Sequence, residues 1–227
     1  MAGRIFITGT GTDVGKTYVA GLIAKKLKVS GRRTGYYKAA MSGNVRKEDG
    51  SLVPGDAVFV KNVSGIEQPV EEMCPYIYET AVSPHLASRI EGNPVRMDVV
   101  KRGFDDVCKK YDYITMEGSG GILCPLCFDE EKLQLEDVIK ELGLACIIVA
   151  NAGLGTINSV VLTCEYMKSR NIEIRGIIFN HFHPGDVMEE DNLNMCEYMT
   201  GHKVIACVED GADELDIDAD VLASIYE

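Results

Sequence analysis

The sequence predicts an α/β fold, with a mostly parallel sheet flanked by helices on both faces and a single domain spanning residues 1–227. Two observations predict it. Short apolar, β-branched runs alternate with longer amphipathic segments along the chain, and strand–helix–strand alternation builds a parallel sheet with right-handed crossovers. The runs are also apolar at successive positions, so both faces of each strand are to be covered.

Residues 4–8 (RIFIT) read as the first strand. Lys16–Val29 follows as a helix, with Ala20, Ile23, Ala24 and Leu27 on one face. Thr34–Lys38 is the second strand, and Tyr113–Glu117, residues 145–150 (ACIIVA) and Ile174–Asn180 are the others. Helices fall between them at residues 83–91, Met97–Lys110, Leu135–Leu142 and Thr156–Ser169. Ser83 reads as the cap of its helix, with Pro84 in the first turn. Residues 41–54 form the least regular stretch, polar and glycine-bearing. The acidic segment from Glu209 (EDGADELDIDAD) reads as a solvated end. There is no internal repeat and no low-complexity linker.

Composition narrows the function classes. With 227 residues, 46% of them hydrophobic, the chain can bury a substantial core but leaves little room for a second full domain. A formal net charge of −12, with the Lys and Arg scattered, argues against nucleic acid and anionic membranes as partners. The longest apolar run, residues 144–150, falls well short of the roughly 20 residues of a membrane span. Eight unevenly spaced cysteines and no leader-like opening segment predict reduced thiols and a cytoplasmic protein.

Chemistry in a parallel sheet collects at the carboxyl ends of its strands. After the first strand comes GTGTDVGKT, residues 9–17, and then a helix. This resembles the Walker A loop of P-loop NTPases, with five residues between Gly9 and Gly15 where the standard pattern has four. The physical needs are met all the same. Glycines let backbone N–H groups turn toward phosphate oxygens, and the helix start adds partial positive charge. Lys16 can reach the β- and γ-phosphates of ATP, and the Thr17 hydroxyl can ligate Mg²⁺. ParA- and MinD-like ATPases carry a second lysine early in this loop, at the place Gly11 holds here.

The other strand ends are each open to two readings. Lys38 is a second cation beside the phosphate loop or an exposed surface lysine. Glu117, opening EGSGG, is a Mg²⁺ ligand or a simple exit from the strand, and its glycines admit a substrate close to the backbone. Asp56 is a third candidate ligand, and taken alone reads better as a helix N-cap. GLGTIN, residues 153–158, opens a helix whose N–H groups can hold a carboxylate or which is ordinarily capped near Thr156. Asn180 can hydrogen-bond a base edge or cap a turn.

Taken together, GTGTDVGKT, YYKAAMSG, SPHLA, EGSGG, GLGTIN and FNHFHP resemble the dethiobiotin synthetases in order and spacing, over nearly the whole chain to about residue 205. The resemblance implies an enzyme that takes 7,8-diaminononanoate, CO₂ and ATP. One amine captures CO₂ as a carbamate, ATP phosphorylates it, and the second amine closes a cyclic urea with loss of phosphate. It implies Lys16, Lys38 and Thr12 as catalytic residues. It puts the nucleotide on Gly11, Thr12, Asp13, Val14, Gly15, Lys16, Thr17, Tyr18 and Asn180, with Asn180 at the adenine. Mg²⁺ falls to Thr17, Asp56 and Glu117. Substrate falls to Ser42, Glu117, Gly118 and Gly121, and its carboxylate to Gly153, Leu154 and Asn158 of a second subunit, which implies a homodimer. The chain departs from the family pattern at Asp13 (often Glu), Ala39 (often Pro) and Cys124 (usually Thr), and it lacks a proline often found near the base-binding loop, within residues 204–211.

Two further features carry less. Cys124 and Cys127 form a CxxC pair, and His181 and His183 an HxH pair. They make a zinc or redox site only if the fold brings them together. His85 reads as a helix-start residue. A corrinoid-carboxylate amidase needs a glutaminase domain for which no residues remain. A switch ATPase would be expected to carry the lysine that Gly11 replaces.

Overall fold

The computed structural model describes residues 2–129 and 131–226. In chain order its elements are β1 (Gly3–Gly9), α1 (Lys16–Val29), β2 (Thr34–Lys38), β3 (Ala40–Met41), β4 (Val45–Arg46), β5 (Leu52–Val53), α2 (Gly55–Ser64), β6 (Tyr76–Ile77), α3 (Pro84–Ile90), α4 (Met97–Lys110), β7 (Tyr113–Glu117), β8 (Pro125–Phe128), β9 (Lys132–Gln134), α5 (Leu135–Leu142), β10 (Ala145–Asn151), α6 (Thr156–Ser169), β11 (Ile174–Asn180), α7 (Val187–Thr200), β12 (Val204–Val208) and α8 (Ala219–Ser224). The main sheet runs β12-β11-β10-β1-β7-β2, and every neighbouring pair in it is parallel.

The predicted architecture is the one observed, with helices on both faces. Side chains alternate across a strand, and β1 shows the consequence. Ile5 and Ile7 pack on one face with Val19, Leu22 and Ile23 of α1 and Leu222 of α8. Phe6 enters the opposite core with Phe104 of α4 and Val138 of α5. A third cluster joins Ala20 and Ala24 of α1 to Ala57 and Val60 of α2 around Tyr36 of β2. Small residues at that contact let α2 lie close beside the phosphate-loop helix.

β2 is an edge strand, and its exposed backbone is covered by a side chain. Buried Gln68 accepts from the Tyr36 N–H at 2.7 Å and donates to the Tyr36 carbonyl at 3.0 Å, mimicking a neighbouring strand.

Three expectations are corrected. Residues 41–54 are not simply irregular: β3 pairs with β6, and β4 with β5 forms an antiparallel hairpin. Asp56 does not cap a helix. Pro54 holds the N-cap position of α2, and Asp56 lies in its first turn. The acidic C-terminal segment is not a free end. Leu215, Leu222 and Tyr226 are buried against α1 and β1, and the Tyr226 hydroxyl pairs with Thr115 at 2.6 Å. Its apolar residues are interleaved with acids, so the acids reach solvent while every few residues one side chain docks. At α3, Ser83 holds the N-cap position without a capping hydrogen bond, its hydroxyl lying 3.0 Å from His85 Nδ1 instead.

α7 has no apolar stripe to mark it, because the residues it buries include Glu189 and Asn192. Asn192 Nδ2 donates to the carbonyls of Ala152 (2.8 Å) and Gly153 (3.2 Å), fixing the loop between β10 and α6. The N-terminus of α7 is capped by Asp186, which accepts from the N–H groups of Met188 and Glu189.

Candidate active site

β1 is central in the sheet, so the loop leaving it lies between the loops that leave β7 and β10. Gly15 ends this phosphate loop in the left-handed region, at φ +85°. A Cβ there would lie 2.1 Å from Nδ2 of Asn180, and that amide donates to the Val14 carbonyl at 3.2 Å. Asn180 thus braces the loop from the end of β11. Asp13 also adopts a positive φ, of 59°. Lys16 is buried and folds back so that its Nζ donates to the Gly11 carbonyl at 2.8 Å. Burial lowers its pKa below the ordinary lysine value, opposed by the nearby Glu117 carboxylate.

Beside the loop sits a buried ionic cluster whose spacing follows from strand register. β2 and β7 pair with Tyr36 opposite Thr115 and Lys38 opposite Glu117, so these four side chains share one face of the sheet. Lys38 Nζ donates to Glu117 Oε1 at 2.7 Å and to Asp56 Oδ2 at 2.6 Å. Thr17 Oγ1 donates to the same Glu117 oxygen at 2.8 Å, and the Tyr36 hydroxyl to Oε2 at 2.7 Å. Lys38 is 5% exposed and Glu117 1%. Burial pulls the Lys38 ammonium down, but Glu117 and Asp56 outweigh it and hold the group above its ordinary value. Lys38 is therefore a fixed cation at neutral pH rather than a base.

Lys16, Thr17, Lys38, Asp56 and Glu117 line one open cavity of about 310 Å³ with Thr12, Asp13, Gly15, Met41, Ser42, Ser119 and Gly120. It has the residues a nucleotide polyphosphate needs: a glycine-bearing loop, a helix N-terminus and two lysines. The oxygen donors Thr17, Asp56 and Glu117 suit a hard divalent cation such as Mg²⁺, and the Lys38 ammonium bridging both carboxylates shows that positive charge is accommodated there.

The predicted site residues divide into three groups. Thr12, Asp13, Gly15, Lys16, Thr17, Lys38, Ser42, Asp56 and Glu117 come together around the cavity. Gly11 supplies the carbonyl that holds Lys16, and Val14 is buried beneath the loop. Gly121 packs on this loop, where a Cβ would lie 3.4 Å from the Gly9 carbonyl. Gly118 is required by packing instead, since a Cβ would meet the Phe6 ring at 2.9 Å. Tyr18 points to the C-terminal segment, its hydroxyl bonded to the Ala212 carbonyl. Gly153, Leu154 and Asn158 do not line the cavity of their own chain. Leu154 is 93% exposed, and Gly155 begins α6 with no side-chain cap. Tyr36 and Ser119 were not singled out by the sequence. Ser119 donates to the Ala40 carbonyl at 3.0 Å, and the signal for Tyr36 was its position two residues before Lys38 on one strand face.

The CxxC and HxH pairs do not converge. Among the described residues, no three His, Cys, Asp or Glu side chains form a metal-binding group. Burial pushes the Cys124 thiol up to about 11, so it is protonated at neutral pH and a poor nucleophile. His181 pairs with Asp210, and His183 with Glu189 at 3.1 Å.

An AAA domain family model matches residues 3–213. The ATP-dependent dethiobiotin synthetase BioD of Brachyspira hyodysenteriae is 50% identical over 217 residues, covering 95% of this chain and 96% of its own length. The enzyme of the same name from Clostridium botulinum is 44% identical over 227 residues, covering 100% and 99%. Among solved structures, the MinC:MinD cell division protein complex of Aquifex aeolicus superposes with a TM-score of 0.58 at 13% identity, covering 100% of this chain and 87% of that one. At that identity the likeness is one of fold, that of P-loop NTPases. Near-full coverage by relatives at 44–50% identity, with the phosphate loop, Lys16 and Lys38 at one cavity, makes this chain a member of the ATP-dependent dethiobiotin synthetase family.

Proposed function

We propose that residues 1–227 form one catalytic domain that closes the cyclic urea of dethiobiotin from 7,8-diaminononanoate, CO₂ and ATP, releasing ADP and phosphate, a step of biotin biosynthesis. The observation that carries this reading is the pair of buried lysines, Lys16 and Lys38, facing one cavity beside the phosphate loop. That arrangement suits an anion becoming more charged as it is phosphorylated. No His or Cys lines the cavity among the described residues, and the chemistry asks for none. The substrate supplies its own nucleophiles.

One substrate amine attacks CO₂ and loses a proton, giving a carbamate. A carbamate oxygen attacks the γ-phosphorus, and the bond to the bridging oxygen of ADP breaks. The second amine then attacks the carbamoyl carbon, and phosphate leaves as the ring closes. Lys16 holds the β- and γ-phosphate oxygens. Lys38, kept charged by its carboxylate partners, faces the oxygens shared by carbamate and phosphate. Thr12 and Ser42, which also line the cavity, supply hydroxyls. Thr17, Asp56 and Glu117 would hold Mg²⁺, which neutralises phosphate charge when bound. Asn180, bracing the loop from β11, stands at the base end of the nucleotide.

The working form is a homodimer in the cytoplasm. The uncapped start of α6 offers N–H groups to the substrate carboxylate, and Leu154 and Leu162 project from this segment fully or largely exposed. That surface serves the cavity of the opposite subunit.

The test is phosphate release from Mg-ATP and bicarbonate with and without 7,8-diaminononanoate, with dethiobiotin followed by mass spectrometry. Diamine-dependent release with matching product is expected. ATP turnover indifferent to the diamine would overturn the substrate assignment and leave the phosphate site standing.

A further inference from the structure

We infer that Tyr36 is a positioning residue for the reaction, acting through Glu117. This rests on the assignment of Glu117 to the Mg²⁺ site proposed above. The Glu117 carboxylate is 1% exposed and receives three donors. Thr17 and Lys38 both bind Oε1, and the Tyr36 hydroxyl alone binds Oε2, at 2.7 Å. A carboxyl group turns about its terminal torsion with a broad, two-fold preference. Anchoring one oxygen therefore fixes which oxygen faces the cavity and at what angle.

Tyr36 is well built for an anchor. It is fully buried, among Ala20, Ala24, Ala57 and Val60, so its ring has no room to swing. Its backbone N–H and carbonyl are both held by Gln68 on the outer edge of β2. Register also fixes the reach. Tyr36 lies opposite Thr115, two residues from the Lys38–Glu117 pair on the same face, and its ring spans that distance along the strand. Without the hydroxyl, Oε2 is a buried acceptor with no donor, and the carboxylate is free to rock about the Oε1 atom that Thr17 and Lys38 hold. The role is that of an outer-shell partner that orients a metal-binding carboxylate, and such partners typically govern metal affinity by about tenfold or more.

The experiment compares Tyr36→Phe, Glu117→Gln, the double variant, and Tyr37→Phe. Tyr37 is the control: it is an equally buried neighbour on the other face, whose hydroxyl donates to the Val100 carbonyl at 2.9 Å. Mg²⁺ is titrated into each protein. Half-saturation is read from the thermal unfolding midpoint in the presence of ADP, and separately from turnover with ATP, bicarbonate and 7,8-diaminononanoate. Tyr36→Phe is expected to raise the half-saturating Mg²⁺ about tenfold in both readouts. Tyr37→Phe is expected to lower the unfolding midpoint with Mg²⁺ half-saturation unchanged. In the Glu117→Gln background, adding Tyr36→Phe should change half-saturation no further, because the two act through one group. If Glu117→Gln shifts the Mg²⁺ dependence and Tyr36→Phe does not, the inference falls and the metal assignment survives. If neither shifts it, both fall. A shift equal to that of Tyr37→Phe also overturns it, since the effect would be loss of a buried hydroxyl in general. Should Tyr36→Phe not fold, the Gln68→Ala variant, which frees the Tyr36 backbone, must raise Mg²⁺ half-saturation for the inference to stand.

Discussion

Replacing Lys38 by Met separates the two jobs this lysine does. Met keeps most of the side-chain volume and removes the charge. Glu117, at 1% exposure, then keeps Thr17 and Tyr36 as donors but loses its direct ion-pair partner, while Asp56, with a 39% exposed side chain, re-solvates. Breaking a buried pair from one side costs about 3–5 kcal/mol, and with two donors retained the lower end applies, about 3 kcal/mol. For a chain of this length that lowers the unfolding midpoint by roughly 6–12 °C. Mg²⁺ should restore part of the loss, because it can take the charge position that Lys38 leaves. At about ten times its dissociation constant it returns about 1.4 kcal/mol. Turnover, in contrast, should stay down by about 10²–10³-fold, since the cation facing the reacting oxygens is gone. Thermal unfolding with and without MgCl₂, beside phosphate release, reads both effects. A variant as stable as the wild type, or one that Mg²⁺ stabilises no more than it stabilises the wild type, would refute the electrostatic account.

Three other perturbations follow from the same geometry. Gly15→Ala combines a left-handed backbone with a 2.1 Å collision at Asn180, so stability should fall by about 1–3 kcal/mol and nucleotide affinity should drop, as measured by calorimetry. Burial lowers the Lys16 pKa in the free protein and polyphosphate charge raises it, so nucleotide binding should take up protons at alkaline pH and weaken as pH climbs. Binding heats in buffers of different ionisation enthalpy check this, and equal heats in all of them would contradict it. His183 is raised above its ordinary value of 6.5, first by its hydrogen bond to Glu189 and then by the charges of Glu189 and Asp210. Its stabilising contribution is complete below that value and fades as pH rises through the higher folded one. His183→Ala should therefore lower the unfolding midpoint at pH 6 (about half a unit below the ordinary value) and have little effect well above neutrality.

The fold was largely legible because its five main helix-crossed strands carry mostly apolar runs, broken only by single residues such as Thr115 in β7 and Arg175 in β11. β12 escaped notice as a five-residue run, VIACV, only partly buried at the sheet's far edge, and α7 because it buries Glu189 and Asn192 in place of an apolar stripe. α2 was marked only at its start, where the sequence offers Asp56 as the N-cap and the structure gives that position to Pro54. The site was legible wherever a strand ended: Lys38, Glu117 and Asn180 are each the last residue of β2, β7 and β11. What the chain order could not give was the pairing of β2 with β7. That register alone brings Lys38 onto Glu117 and turns Tyr36, to all appearance a core tyrosine, toward the same carboxylate. Asp56 shows the same limit. Its local context is that of a helix start, and only the seating of α2 on α1 carries it to Lys38.

The edge position of β2 has a kinetic meaning. The phosphate loop grows from β1, which has a strand on either side, whereas Lys38 and Tyr36 ride on a strand held by β7 on one side and, on the other, by the Gln68 amide and one bond from the Lys38 N–H to the Met73 carbonyl. Partial opening of a fold begins where backbone bonds are fewest, so β2, at a sheet edge, is expected to open before the central β1. When it does, the molecule keeps its grip on ATP and loses the group that acts on the second substrate. Heat, mild denaturant or a weakened Gln68 should thus yield a protein that still binds nucleotide but turns nothing over, and amide exchange should be faster along β2 than along β1.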